Sequence, residues 1–156
     1  MDLDRVNRLL EDLKRPDAEV RDRASSLFWH AWFHQKGVYG AQQLMEAQTL
    51  LQAGKMTQSE ALLGDIVEAQ PDFAEAWNRL AVLHYTQGDY WRAIAACQKV
   101  VALVPYHFGA LHGLGLSHSA VGNYTAAIES FRQALAVQPY ALVNQRLILE
   151  CTAKLG

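Results

Sequence analysis

"GDYWRAIAACQKVVALVP", residues 88–105, is answered 34 residues later by "GNYTAAIESFRQALAVQP", residues 122–139. Both stretches open on Gly, place a Tyr two residues on, follow it after three residues with Ala-Ile, and close on Pro. The register extends upstream, giving a Gly column of Gly54, Gly88 and Gly122 and a Pro column of Pro71, Pro105 and Pro139. Between them run Ser59, Ala93 and Ala127, then Leu63, Cys97 and Phe131, and before each Gly stand Ala47, Ala81 and Gly115. A fixed period of this size marks stacked structural units. Small residues recur where two helices must approach closely, and large ones recur at helical spacing to fill the gap. Gly is expected to end the first helix of each unit in a left-handed turn, and Pro to prevent continuation of the second.

Bulk properties agree with a helical array and exclude several function classes. The chain has 156 residues, 51% of them hydrophobic, and a formal net charge of −2. That length gives one domain with a real core, and that apolar fraction argues against disorder. No basic block exists, so the electrostatic footprint of a nucleic-acid binder is missing. The apolar runs are too short to span a membrane, and "DLDRVNRLLEDLKR" after Met1 lacks the apolar segment of a secretory signal. Cys97 and Cys151 cannot build a disulfide framework, so the expected location is the reduced cytoplasm. Residues 1–36 carry seven of the fourteen Lys and Arg and seven of the sixteen Asp and Glu. The body that follows is nearly neutral, as stacking elements require.

The columns resemble those of the tetratricopeptide repeat family over roughly residues 40–156. Trp77, Leu80, Ala81, Gly88, Tyr90, Ala93, Val100 and Pro105 stand at that family's positions, as do Leu111, Leu114, Gly115, Ala127, Phe131, Ala134 and Pro139. The first unit departs more, with Glu46 where Leu is usual and Ser59 in place of Ala, but Gly54 and Pro71 keep its register. The resemblance implies an all-α, right-handed α-solenoid of stacked antiparallel helix pairs, about nine helices with no sheet. Its expected divisions are an N-terminal helical cap over 1–39, three repeats over 40–73, 74–107 and 108–141, and a C-terminal capping helix over 142–156. Within the cap, Ser25, Trp29 and Trp32 fall in the columns of Ser59, Leu63 and Ile66, and the two tryptophans are expected to seal the cap onto the first repeat.

Constellations that carry chemistry fail on spacing. His30 and His34 lie one turn apart, but Ala31 stands where a zincin would need Glu, and no third ligand follows. The glycines of "GALHGLGLSH" lie inside a repeat helix, whereas a phosphate-cradling loop must follow a strand. Gly115 has a packing role in its column; Gly113 has none, which leaves two readings, a tolerated glycine, the one favoured, and a deep notch in the groove. Ser117 and His118 are adjacent and point to different faces, so they cannot pair as nucleophile and base. Cys97, in a core column, is expected to be inert. The chain therefore reads as neither an enzyme nor a metal or cofactor protein.

What remains is the concave face. In such arrays the first helix of each pair lines it, and the inward columns give Gln48, Asn78, Arg79, Val82, Tyr85, His112, Leu116 and Arg146 as candidate partner-binding residues. Arg79 stands out as an inward charge that stacking does not need and that could fork onto a carboxylate. Family members that hold the acidic C-terminus of heat-shock chaperones use an inward clamp of Lys, Asn and Arg. Here Leu44, Gln48, Gly109 and Gly113 occupy the corresponding places, which argues against that ligand. The expected function is an adaptor, scaffold or assembly factor that takes a partner peptide or helix into the groove. The alternative is a weakly self-associating structural module using Trp91 and the cap.

Overall fold

The glycines of the 34-residue column all adopt left-handed backbone, with φ of 76° at Gly54, 78° at Gly88 and 80° at Gly122. A β-carbon at any of them would meet nothing within 4 Å, so only backbone strain selects Gly there. In the computed structural model, which describes all 156 residues, these turns separate helices of a nine-helix chain without strands. The helices are α1 (Leu3–Asp12), α2 (Ala18–Phe33), α3 (Gly37–Gln52), α4 (Met56–Ala69), α5 (Ala74–Thr86), α6 (Tyr90–Leu103), α7 (Phe108–Ala120), α8 (Tyr124–Val137) and α9 (Leu142–Leu155). Asp89 and Asn123, directly after two of the glycines, cap the next helix by accepting from the amides of Arg92 and Ala126. Helix α3 begins at Gly37, itself at φ 71°, slightly ahead of the boundary expected at 40.

Helices α3–α4, α5–α6 and α7–α8 pack as antiparallel pairs, and α9 closes against α8. The small-residue columns do what close approach requires. Ser59 is buried and donates its hydroxyl to the Ala47 carbonyl across the first pair at 2.8 Å. At Gly115, a β-carbon would strike the Phe131 ring. The largest core unit joins the first pair to the second through Leu44, Leu63, Ile66, Phe73, Leu80 and Leu83.

The N-terminal pair does not stack as a further repeat, contrary to the placement expected for Trp29 and Trp32. Helix α2 instead runs along the edge of the array, across the turns that link one helix pair to the next. Just beyond its C-terminal end, Gln35 donates to the Asp72 carbonyl and Lys36 reaches the Asp72 carboxylate at 2.7 Å. That lysine holds the Asp72 carboxyl below the ordinary carboxylate range. The middle of α2 packs Phe28, Trp29 and Trp32 on Tyr106, His107 and Phe108. Near its start, Arg21 lies over the Tyr140 ring, 4.0 Å from the centroid. The sixteen residues of α2 rise about 24 Å, enough for the strap, with Gln35 and Lys36 just after it, to touch all three turns. Val6, Leu9 and Leu13 of the α1 region complete the apolar cluster under it. The departure follows the contacts these rings find: Trp32 stacks on His107, and Phe28 packs on Tyr106 and Phe108, so they are buried against that turn.

Gly88→Ala is expected to cost about 1 kcal/mol, the usual penalty for a left-handed non-glycine residue, and Gly88→Val more. Urea denaturation measures this, and unchanged midpoints would contradict the turn assignment.

Candidate functional site

Helices α3, α5 and α7 bring their inward residues together at the period of a helix face. On α5, Asn78, Val82 and Tyr85 follow at i, i+4 and i+7 on one face, Asn78 buried and the other two exposed as a ridge. A cleft of about 220 Å³ lies between α3 and α5, lined by Gln48, Leu51, Asn78, Arg79 and Val82 among others. A second of about 190 Å³ lies between α5 and α7, lined by Asn78, Val82, Tyr85, His112, Gly113 and Leu116 among others. Seven of the eight candidate residues therefore border one or both clefts. Arg146 does not; it lies in solvent on α9, 3.6 Å from Glu150.

Beside the ridge is a buried polar cluster built around Glu75, which is 2% exposed, and His107, which is 0% exposed. The Ala110 amide donates to His107 Nδ1 at 3.0 Å, making this ring the N-cap of α7. Its Nδ1 therefore carries the lone pair, and Nε2–H donates to Glu75 Oε2 at 3.2 Å. The other carboxylate oxygen accepts from Asn78 Nδ2 at 3.3 Å and meets Arg79 Nε at 3.4 Å. Trp32 covers the His107 ring, stacked with centroids 3.9 Å apart, and Trp29 meets it edge-on at 5.3 Å. A buried carboxylate without such partners would be costly. Here both oxygens have a hydrogen-bond donor, while Arg79 Nε contributes its charge at 3.4 Å without forming a hydrogen bond.

This cluster corrects the reading of Arg79. Its guanidinium lies 5.3 Å over the Phe33 ring, and Nη1 is 3.4 Å from Gln48 Oε1, in addition to the Glu75 contact. Arg79 is thus occupied in neutralising a buried acid, and it is not a spare inward charge. Asn78 is likewise buried and committed to Glu75. His112 is tied across to α9, its Nδ1 2.7 Å from Asn144 Oδ1. Sequence reasoning missed Glu75 because an acid in the first turn of a helix ordinarily faces solvent and complements the dipole. The one available signal was His107, an unusual cap directly before α7.

The remaining chemistry-bearing groups stay apart. The His30 and His34 rings stack on one another at 4.1 Å, and His34 Nδ1 lies 2.9 Å from the His30 carbonyl, so the pair does not converge on one point. No group of three or more His, Cys, Asp or Glu side chains is arranged to hold a metal ion. Burial pushes the Cys97 thiol up to about 12, which keeps it protonated. No helix is long and apolar enough to cross a membrane.

Comparison with known proteins gives a consistent picture. Two family patterns, both described as tetratricopeptide repeat, match residues 44–108 and 110–139. A TPR repeat-containing protein of Rhizobium etli is 38% identical over 52 residues, which cover 33% of this chain and 26% of that relative. The chain thus spans about a quarter of the curated relative it matches. The first TPR of Spaghetti (RPAP3), bound to the HSP90 peptide SRMEEVD, superposes with a TM-score of 0.68 at 15% identity. That match covers 71% of this chain and 88% of the other. The TPR2B domain of yeast Sti1, in a complex with pHsp70, gives 0.66 at 16% identity, covering 73% of this chain and 96% of that domain.

Because Arg79 neutralises Glu75, Arg79→Ala is expected to destabilise by about 1–3 kcal/mol, the range for leaving a buried charged group underpaired. Arg132→Ala, on the exposed face of α8, should stay within about 0.5 kcal/mol. Chemical denaturation of the two variants side by side checks this; equal midpoints would return Arg79 to the status of a free charge.

Proposed function

The chain belongs to the tetratricopeptide repeat family, and on that premise we propose that it is a non-catalytic adaptor or assembly factor working in the cytoplasm. Its three helix pairs form the binding body, the N-terminal pair serves as a strap, and α9 packs on α8. The groove on α3, α5 and α7 takes a segment of another protein, either an extended peptide or a helix. The observation that carries this reading is the α5 ridge. Val82 is 54% exposed between two clefts, and Tyr85, one turn on and packed edge-on against Tyr90, is 37% exposed. An apolar ridge between concavities on preformed helices suits peptide or helix capture.

Two of the structural neighbours are in complexes with chaperone ligands, the HSP90 peptide SRMEEVD and pHsp70, which supports a protein segment as the ligand of this architecture. An acidic tail is a poor match for this chain. Arg79 is spent on Glu75, Arg146 is exposed beside Glu150, and the clamp positions are held by Leu44, Gln48, Gly109 and Gly113. The partner segment is therefore largely uncharged where it meets α5. A second reading, self-association, has one observation of its own. Helix α9 leaves Leu142, Val143 and Leu149 in solvent, an exposed apolar surface.

Val82→Glu places a charge on the ridge and is expected to weaken partner binding by about 1–3 kcal/mol, while Arg132→Ala on the convex side leaves it unchanged. The test is to identify by mass spectrometry what the wild-type protein retains from a lysate, then titrate that polypeptide against each variant by calorimetry. Equal affinities would move the partner to another face, and concentration-dependent light scattering of the protein alone would favour self-association.

A further inference from the structure

The three glycines of α7 differ in what they make room for. A β-carbon on Gly109 would lie 2.5 Å from Trp29 Cη2, so the strap requires that glycine. One on Gly115 would strike the Phe131 ring, so the α7–α8 packing requires that one. One on Gly113 would sit 3.5 Å from Cys97 Sγ, an ordinary contact. Nothing in the packing excludes a side chain at Gly113, and in a helix interior glycine is less stable than alanine. What its missing side chain leaves is the slot between α5 and α7, with Cys97 at its floor and Val82, Tyr85 and Leu116 among its walls.

We propose that this slot is an anchoring pocket for one large apolar side chain, Phe or Leu in size, carried by the partner segment. The proposal rests on the groove reading above and specifies where in the groove affinity concentrates. Its volume of about 190 Å³ exceeds that of the apolar cavity of about 150 Å³ known to accept benzene. Its lining contains no Asp, Glu, Lys or Arg. Among the polar groups of its lining, Asn78 bonds Glu75, His112 bonds Asn144 and Ser117 donates to the Gly113 carbonyl. The Cys97 thiol stays protonated and adds no charge to the floor. A wall without charged groups matches an uncharged side chain and disfavours an ionic one, because a charge placed there would lose its water without gaining a counter-charge. A single buried apolar anchor is also how binding energy concentrates at interfaces.

Toluene alone is the first probe, followed by NMR of amide resonances. Saturable shifts confined to Val82, Gly113 and Leu116 are expected. Gly113→Leu should abolish them and Gly113→Ala should reduce them, with the melting temperature of the alanine variant equal to or above that of wild type. A neutral decapeptide of Gly, Ser and Asn with one central Phe should displace toluene at least tenfold better than the same peptide with Ala or Glu at that place. Toluene shifts that persist in Gly113→Leu, or no discrimination among the three peptides, would overturn the proposal. The two readings separate in the partner titration. Loss of binding with Val82→Glu but full binding with Gly113→Leu and Gly113→Ala would sink the anchoring pocket and leave the groove standing.

Discussion

A carboxylate removed from water dictates much of this molecule. Glu75 sits in the first turn of α5 with its oxygens shared among His107, Asn78 and Arg79. Satisfying it draws the turn before α7 onto α5, which sets the spacing between two neighbouring repeat helices and so the width of the slot between them. It also orients the His107 ring, with one nitrogen capping α7 and the other facing the acid. That ring is the flat surface on which Trp32 stacks. The strap, the cap and the groove wall thus share one polar cluster. Because breaking a buried pair leaves an uncompensated charge, such a cluster is sensitive to loss of any member even where its net contribution is small.

The same cluster shapes the chemistry offered to a partner. An arginine on an inward column would ordinarily advertise an anionic ligand, yet here its charge is consumed from inside. The groove is left with apolar ridges, satisfied amides and two concavities. Repeat architectures present recognition surfaces through the exposed positions of helices whose buried positions are fixed by stacking. Specificity in such a surface comes from what fills the concavities and from the cost of burying a charge against neutral walls. The strap, from Arg21 to Lys36, ties all three inter-repeat turns together and is placed to restrain rotations between units.

Much of the fold was legible because it is periodic. Gly54, Gly88 and Gly122 repeat a backbone conformation that only glycine adopts cheaply, and the Ser59, Ala93 and Ala127 column repeats a close approach, so both survive as a pattern in one dimension. The inward phase of Gln48, Asn78, Arg79, Val82, Tyr85, His112 and Leu116 follows from helical geometry in the same way. Contacts across the array leave no period. Phe28, Trp29 and Trp32 meet the turn at 106–108, far away in sequence, and their helical spacing fits a stacked repeat as well as a strap. Glu75 and Arg79 look like a solvated i,i+4 pair until His107 is brought beside them. Gly109, Gly113 and Gly115 are chemically identical letters, separable only by what stands opposite each: an indole, a thiol and a phenyl ring.

The central claim is that strap and repeats form one cooperative body welded through Glu75, His107 and Trp32. Native-state hydrogen exchange under increasing denaturant tests it most directly. The account predicts that the slowest amides in the middle of α2, around Phe28 and Trp32, exchange with the same free energy and denaturant dependence as those of α5 and α7, through global unfolding. Exchange of α2 at markedly lower free energy, with α5 and α7 still protected, would mean that the strap opens on its own, and would contradict the account.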